Sequence, residues 1–203
     1  IAAVLAPALE LLREGKPARL AMPSDEEERR VFNQAQLLTA KPVLYVCNVE
    51  EASADKGNEF SARVKEFAAK EGNTAVVVSA KIESEIAILP LADQKDYLDA
   101  VGLEEPGLNR VIRAGYDLLH LVTYFTVGPK EARAWTITRG TKAPAAAGVI
   151  HTDFEKGFIR SETIGYEDYV KNNGEAGAKE AGKFRLEGKE YVVLDGDVMH
   201  FRF

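Results

Sequence analysis

Lys41-Pro42-Val43-Leu44-Tyr45-Val46-Cys47-Asn48-Val49-Glu50-Glu51 and the later stretch Thr74-Ala75-Val76-Val77-Val78-Ser79-Ala80-Lys81 decide the fold of this chain. Pro42 stands where a strand begins, and its missing N–H costs no ladder bond there. Val43 to Cys47 is an unbroken apolar run, as expected of a strand covered on both faces. Asn58 to Lys70 reads as an amphipathic helix with Phe60, Val64, Phe67 and Ala68 inward, and Gly72-Asn73 ends it. Thr74 to Val78 is the next strand. Strand, crossover helix and strand make one βαβ unit, whose strands run parallel. Ligands of open parallel sheets bind beyond the carboxyl ends of strands, which is where Asn48 and Ser79 fall.

Working outward, residues 1–39 carry two helical patterns. Leu5, Leu9 and Leu12 recur at helical spacing before Gly15-Lys16-Pro17. Ser24 with Glu27 reads as a capping box opening a second helix, with Val31, Leu37 and Leu38 as its apolar face. Two helices and a short polar link predict a hairpin arm. After Lys81, helical patterns follow near Glu83–Leu89, Asp93–Val101 and Leu108–Leu119. From His120 the pattern changes. Leu121–Val127 and Ala132–Thr138 read as a hairpin turning at Gly128-Pro129. Ala143–Ile150 reads as a helix, Gly157–Ile164 as a strand, Tyr166–Val170 as a short helix, and Tyr191–Leu194 with Val198–Phe203 as a closing hairpin about Asp195-Gly196-Asp197. That is a small α+β domain.

The bulk composition is that of a soluble globular protein, with 203 residues, 46% hydrophobic and 29% charged. The net charge of −6 excludes a generally basic nucleic-acid binder. Up to Leu119 there are 14 basic and 20 acidic residues, and from His120 onward 12 of each. Any RNA contact is therefore expected to be local and in the C-terminal part. One cysteine allows no internal disulfide and fits a reducing compartment. No apolar run approaches the ~20 residues that cross a bilayer. The chain starts in mid-helix pattern without an initiator Met, and we read it as truncated.

The chemistry lies at the two strand ends. An Asn amide both donates and accepts, so Asn48 can face N6–H₂ and N7 of adenine, or N7 and O6 of guanine. Guanine-specific P-loop proteins usually carry Asn-Lys-x-Asp here, the Asp accepting from guanine N1–H and N2–H₂. This chain has Asn48-Val49-Glu50-Glu51. The extra methylene of Glu51 displaces the carboxylate by about 1 Å or more, enough to spoil a bidentate bond. Val49 lacks the cation that would pack along the base. Adenine becomes the candidate. Ser79-Ala80-Lys81 corresponds to a second base-side loop, where backbone N–H groups approach the base. Asn48 and Ser79 could alternatively cap βα loops and nothing more. No Gly-x-x-x-x-Gly-Lys-Ser/Thr occurs, and Gly140-Thr141-Lys142 lacks the first glycine, so no phosphoryl-transfer machinery is present. Cys47 reads as strand core, Trp135 as core of the small domain, and His120, His151 and His200 lack metal-ligand spacing.

Taken together, the motifs resemble the YchF-type Obg-like ATPases. The stretches are Gln36–Val46 with Asn48-Val49-Glu50-Glu51, Ser79-Ala80-Lys81-Ile82-Glu83, Leu121–Gly128, Ala132–Ile137, Gly140–Pro144, Ala147–Arg160, Gly188–Val193 and Asp195–Phe203. The resemblance implies α/β plus α+β architecture. Residues 1–39 would be the second half of a helical arm, 40–119 the C-terminal half of a P-loop parallel-sheet nucleotide-binding domain, and 120–203 a β-grasp TGS domain. It implies ATP, or GTP, with Mg²⁺ as the cofactor, the Mg²⁺ ligands lying outside this chain, and hydrolysis by the parent rather than by these residues. Asn48 and the main chain of Val49 would hold adenine, with Glu51, Ser79, Ala80 and Lys81 completing the base site. It further implies a cytoplasmic protein with a ribosome or RNA partner and no membrane, with Lys142, Lys156 and Arg160 as RNA contacts. The alternative is a non-catalytic RNA- or protein-binding module acting through the TGS domain.

Overall fold

The computed structural model describes all 203 residues, in two compact units, Ile1–Leu118 and Leu119–Phe203. In unit 1, helix α1 (Ala2–Arg13), a 3₁₀ turn at Ala18–Ala21 and helix α2 (Glu26–Gln34) close around Ala8, Ala18 and Phe32. The buried face of α1 runs through Val4, Leu5 and Ala8, whereas Leu9 and Leu12 are exposed, contrary to the sequence expectation. α2 is capped one residue later than the motif predicts. The Asp25 carboxylate, not the Ser24 hydroxyl, accepts from the N–H groups of Glu27 and Glu28 at 3.0 Å each, a charge-assisted cap on a positive helix end. α2 buries Phe32 and stops before Leu37 and Leu38. Leu37 packs beside Phe32, and Leu38 faces solvent.

Strand β1 (Leu44–Asn48) and strand β2 (Thr74–Val78) pair in parallel, Leu44 opposite Thr74 through Asn48 opposite Val78. Helix α3 (Glu59–Lys70) joins them. Asn58 caps it by accepting from Ser61 N–H at 3.0 Å, while Ser61 Oγ accepts from Asn58 N–H at 2.8 Å. Gly72, at φ +71, lets the chain leave the helix in the left-handed conformation that side chains resist. Two expectations are met only in part. The helix Gly107–Leu118 packs on β1 and β2 as α3 does, yet the cover of β1 is incomplete, since Val46 is 49% exposed. α3 buries Ser61 and Ala68, while Phe60 is 73% exposed and Phe67 lies edge-on to Tyr45. Because β1 and β2 are the only strands of this sheet, their small and β-branched residues face α3, and the large rings fall at its rim. Glu71 ties the arm to this layer, accepting from Arg19 Nη2 at 3.0 Å and Tyr45 Oη at 2.9 Å. Helices α4 (Ala80–Ile86) and α5 (Leu91–Ala100) close around Ile82, Ile86, Leu98 and Leu103, and α6 (Gly107–Leu118) packs on β1 and β2.

Unit 2 is a β-grasp. Strands β3 (Leu121–Val127) and β4 (Ala132–Thr138) form the first hairpin, and helix α7 (Ala143–Ile150) crosses the sheet. Helix α8 (Thr152–Lys156), strand β5 (Arg160–Gly165), helices α9 (Tyr166–Lys171) and α10 (Glu175–Glu180), strand β6 (Arg185–Glu187) and strand β7 (Asp197–Arg202) follow. The sheet order is β4-β3-β7-β5-β6, with β7 parallel to β3 and antiparallel to β5. The predicted closing hairpin is therefore wrong. Tyr191–Leu194 is not a strand partner of β7. It pairs with the approach to α7, through Ala143 N–H to Tyr191 O at 2.8 Å and Val193 N–H to Thr141 O at 3.0 Å. Asp197 forces this path. Its buried carboxylate accepts from Leu194 N–H at 2.9 Å, Tyr191 Oη at 2.7 Å and Arg185 Nη2 at 3.0 Å. The core holds Tyr124, Ile137, Phe158, Met199 and Phe201 under the alanines of α7, and the Tyr124 hydroxyl donates to Ala146 O at 2.9 Å. Trp135 packs at the edge of this core and donates from Nε1 to Thr126 Oγ1 at 2.9 Å.

Two outcomes test these packing arguments. Phe32→Ala removes the only large side chain at the centre of the arm cluster, and a loss of about 3–5 kcal/mol is expected. Hydrogen exchange should show it as lost protection in α1 and α2 with unit 2 unaffected. The second outcome is alkaline. Burial and the bond to Asp197 push the Tyr191 phenol up to about 12 from an ordinary 10.0. The stability carried by its neutral form is complete below pH 10 and lost as pH rises towards 12. Urea midpoints followed on unit 2 should fall across that window, and fall less in Tyr191→Phe.

Candidate functional site

Parallel pairing sends β1 and β2 out of the sheet at the same end, so the loops after Asn48 and Val78 lie side by side. One hydrogen bond joins them. Ala80 N–H donates to Asn48 Oδ1 at 2.9 Å. Ala80 opens α4, and the side chain of Ser79, its N-cap residue, makes no capping bond. Asn48 therefore satisfies, from another strand, one of the free N–H groups at the start of α4. One lone pair of the Asn48 oxygen is thereby engaged, and its two amide N–H groups make no hydrogen bond to the rest of the chain.

Val49 extends β1 through its N–H, which donates to Val78 O at 2.9 Å. Its side chain is 8% exposed and packs with Cys47 and Val77, so only its main chain faces the site. Ser79 is 2% exposed, and its Oγ is buried without a partner. An orphaned hydroxyl of this kind is costly to bury unless something occupies it.

Glu50, beside Glu51, holds the loop. Its carboxylate takes the Ser53 hydroxyl and Asn58 Nδ2, the latter at 3.0 Å, and the Ser53 bond draws it below the usual carboxylate range. Glu51 is left exposed at the start of a 3₁₀ turn, Glu51–Ser53, close enough for its charge to act on Lys81. The Lys81 ammonium is bound to Glu85, which raises it further, and Glu85 also takes the Tyr97 hydroxyl. That second bond pushes the Tyr97 phenol up to about 12. Lys81 thus lies along α4 rather than reaching freely across the site.

Two supporting residues carried no role in the sequence argument. Glu83 accepts from Gly107 N–H at 2.7 Å and Leu108 N–H at 3.2 Å, and so anchors the start of α6. A Cβ on Gly107 would sit 2.9 Å from that carboxylate and 3.1 Å from Val78, so a larger residue would have to push the Glu83 carboxylate aside. Arg110 donates to Ala54 O at 3.3 Å, which fixes the far end of the 49–58 loop. An acid three residues into α4 was the available signal for Glu83. Nothing local marks Arg110.

The three RNA-contact candidates occupy separate elements of unit 2. Lys142 precedes α7 and pairs with Glu190 at 2.5 Å. Lys156 ends α8. Arg160 opens β5 with Glu162 at 4.0 Å.

Asn48→Ala should loosen the junction of the two loops. A cost of about 0.5–1.5 kcal/mol is expected for the lost bond. Urea denaturation of the chain measures it, with faster exchange of the Ala80 amide as its local mark.

Comparison with known proteins agrees with this architecture. The family model YchF-GTPase_C, described as a protein of unknown function (DUF933), matches residues 121–203. The chain is 60% identical over 179 residues to the ribosome-binding ATPase YchF of Haemophilus influenzae, a span that covers 88% of this chain and 49% of that protein. It is 52% identical over 202 residues to the ribosome-binding ATPase YchF of Bacillus subtilis, covering 98% and 55%. The solved structure of the Schizosaccharomyces pombe YchF GTPase superposes with a TM-score of 0.82 at 34% identity, covering 98% of this chain and 53% of that one. The chain spans about half the length of these relatives. Its sequence over nearly all of that span, together with its fold, makes the chain a member of the YchF family.

Proposed function

We propose that residues 40–119 hold the purine of a nucleoside triphosphate, adenine in preference to guanine, and that residues 120–203, as a TGS domain, attach the protein to the ribosome. The observation that carries the first half is the bond from Ala80 N–H to Asn48 Oδ1. It turns the Asn48 N–H groups towards the ligand, and purine N7 accepts from them in either base. Discrimination then falls to Val49 and Glu51. The Val49 carbonyl is an acceptor, which suits the N6 amino group of adenine and opposes O6 of guanine. Glu51 carries its carboxylate on a side chain one methylene longer than the aspartate that pairs with guanine N1–H and N2–H₂. The main chain from Ser79 to Lys81 makes up the other side in this reading, while the Ser79 hydroxyl itself is buried and unpartnered.

No residue of this chain is assigned to the phosphates or to Mg²⁺, and hydrolysis is not assigned to it. The name ribosome-binding ATPase belongs to relatives about twice its length. Residues 1–39 are read as the arm. Lys142, Lys156 and Arg160 are the proposed RNA contacts of unit 2, and the cytoplasm, where ribosomes work, is the proposed location. No helix is long and apolar enough to cross a membrane. A second reading, a non-catalytic RNA- or protein-binding module, is favoured by the self-contained core of unit 2.

Amide chemical-shift titration of the chain with adenosine and guanosine tests the base site. Adenosine should shift Val49, Ala80 and Lys81, with guanosine weaker by about tenfold, and Glu51→Asp should narrow that gap. Tighter guanosine binding overturns the adenine preference. No shift with either nucleoside overturns the base site and leaves the binding module as the working account.

A further inference from the structure

Unit 2 carries a cleft of about 450 Å³ that neither the nucleotide site nor the candidate RNA contacts explain. Three segments distant in sequence build it, namely β3 at Thr123 and Phe125, the β5–α9 junction at Gly165–Asp168, and the turn at Asp195-Gly196. Hydrogen bonds lock them together. Gly196 N–H donates to Thr123 O at 2.8 Å, Tyr166 N–H to Gly196 O at 2.8 Å, and Thr123 N–H to Asp195 Oδ1 at 2.7 Å. Gly196 adopts φ +81 to make this turn. The cleft is therefore formed before any ligand arrives, which lowers the ordering cost of binding.

Its walls have one chemistry. Phe125 and Tyr166 stand with ring centroids 5.6 Å apart and planes tilted by 39°, and Tyr166 is 49% exposed. Glu167, Asp168 and Asp195 supply three carboxylates to the same lining. Only Asp168 has a basic partner, Lys183, at 3.6 Å. No basic side chain lines the cleft. The surrounding unit is electrically balanced, with 12 basic and 12 acidic residues from His120 onward, so the acidity is local. Aromatic faces flanked by carboxylates attract a cation twice, through the ring quadrupole and through direct charge. The same lining repels phosphate.

We infer that this cleft is a docking site for a lysine- or arginine-bearing segment of a protein partner. A long cationic side chain lies against Phe125 and Tyr166, with its charged head between Glu167 and Asp195. Charge complementarity and the aromatic walls select this occupant over RNA. The site does not rest on the nucleotide reading, since it lies wholly in unit 2 and uses none of the base-site residues.

The probe is a capped Arg-Lys-Arg-Lys-Gly-Tyr peptide, titrated into the whole chain by calorimetry and amide shift mapping. Shifts should centre on Phe125, Tyr166 and Asp195. Glu167→Gln with Asp195→Asn should weaken binding about tenfold, as should Tyr166→Leu, which keeps an apolar body in place. Neutralising the equally acidic Glu26, Glu27 and Glu28 should leave affinity unchanged. Loss of binding in that last variant, or equal affinity in the cleft variants, would reduce the effect to general attraction by an acidic protein and overturn the proposal. Spermidine binding as tightly as the peptide would overturn the protein-segment assignment in favour of a small polyamine. Oligouridylate shifting the cleft residues would overturn it in favour of RNA.

Discussion

Five residues of β1 lie parallel and in register with five of β2, from Leu44 opposite Thr74 to Asn48 opposite Val78. Parallel strands must leave a sheet at the same end, and that constraint makes neighbours of Asn48 and Ala80, 32 residues apart. The Asn48 amide then occupies an N–H that α4 cannot satisfy itself, and Glu83, inside α4, occupies two more at the start of α6. The starts of α4 and α6 are thus completed by side chains from other elements, whereas α2 and α3 are capped by their own Asp25 and Asn58. A slip of one residue in the pairing would turn Cys47 and Val77 outward and take Asn48 away from α4.

Unit 2 follows from a different constraint. β7 is the last strand, yet it lies in the middle of the sheet, parallel to β3 and antiparallel to β5. Chain reaching that position must cross the sheet end, and Asp197 holds the crossing by gathering Leu194, Tyr191 and Arg185. The same crossing brings Asp195 and Gly196 against β3 and creates the acidic, aromatic cleft as a by-product of topology. Binding surface and fold closure here share one turn.

Much of the fold was legible because the local signals agreed with the tertiary outcome. Thr74–Val78, Leu121–Val127, Ala132–Thr138 and Ala143–Ile150 stand where pattern and turn chemistry place them. The failures share one cause. Tyr191–Leu194 has the apolar, β-branched character of a strand, but whether such a segment pairs with its neighbour in sequence depends on which hydrogen-bonding groups lie opposite, and these belong to Thr141 and Ala143. Phe60 and Phe67 sit at helical spacing for burial, yet burial requires a partner surface, and the two strands beside α3 offer little. β6 is three residues long and exists only as an edge on β5, so no local pattern announces it. At the base site, residue types were legible, whereas which atom of Asn48 was already engaged was not.

The sequence by itself determined the βαβ unit, the residue types at its two strand ends, the first hairpin and helix of the C-terminal unit, and the family. Each rests on nearest-neighbour chemistry, on apolar periodicity, capping side chains and glycine at turns, or on motif identity. Tertiary structure alone decided that the Asn48 oxygen is tied to Ala80, that Val49 turns its side chain inward, that β7 enters the centre of its sheet, and that Phe125, Tyr166, Glu167 and Asp195 share one cleft. These are properties of groups brought together from distant segments. A hydrogen bond or a cleft wall is defined by its partner, and the partner's position follows from the closed sheet rather than from any window of the chain.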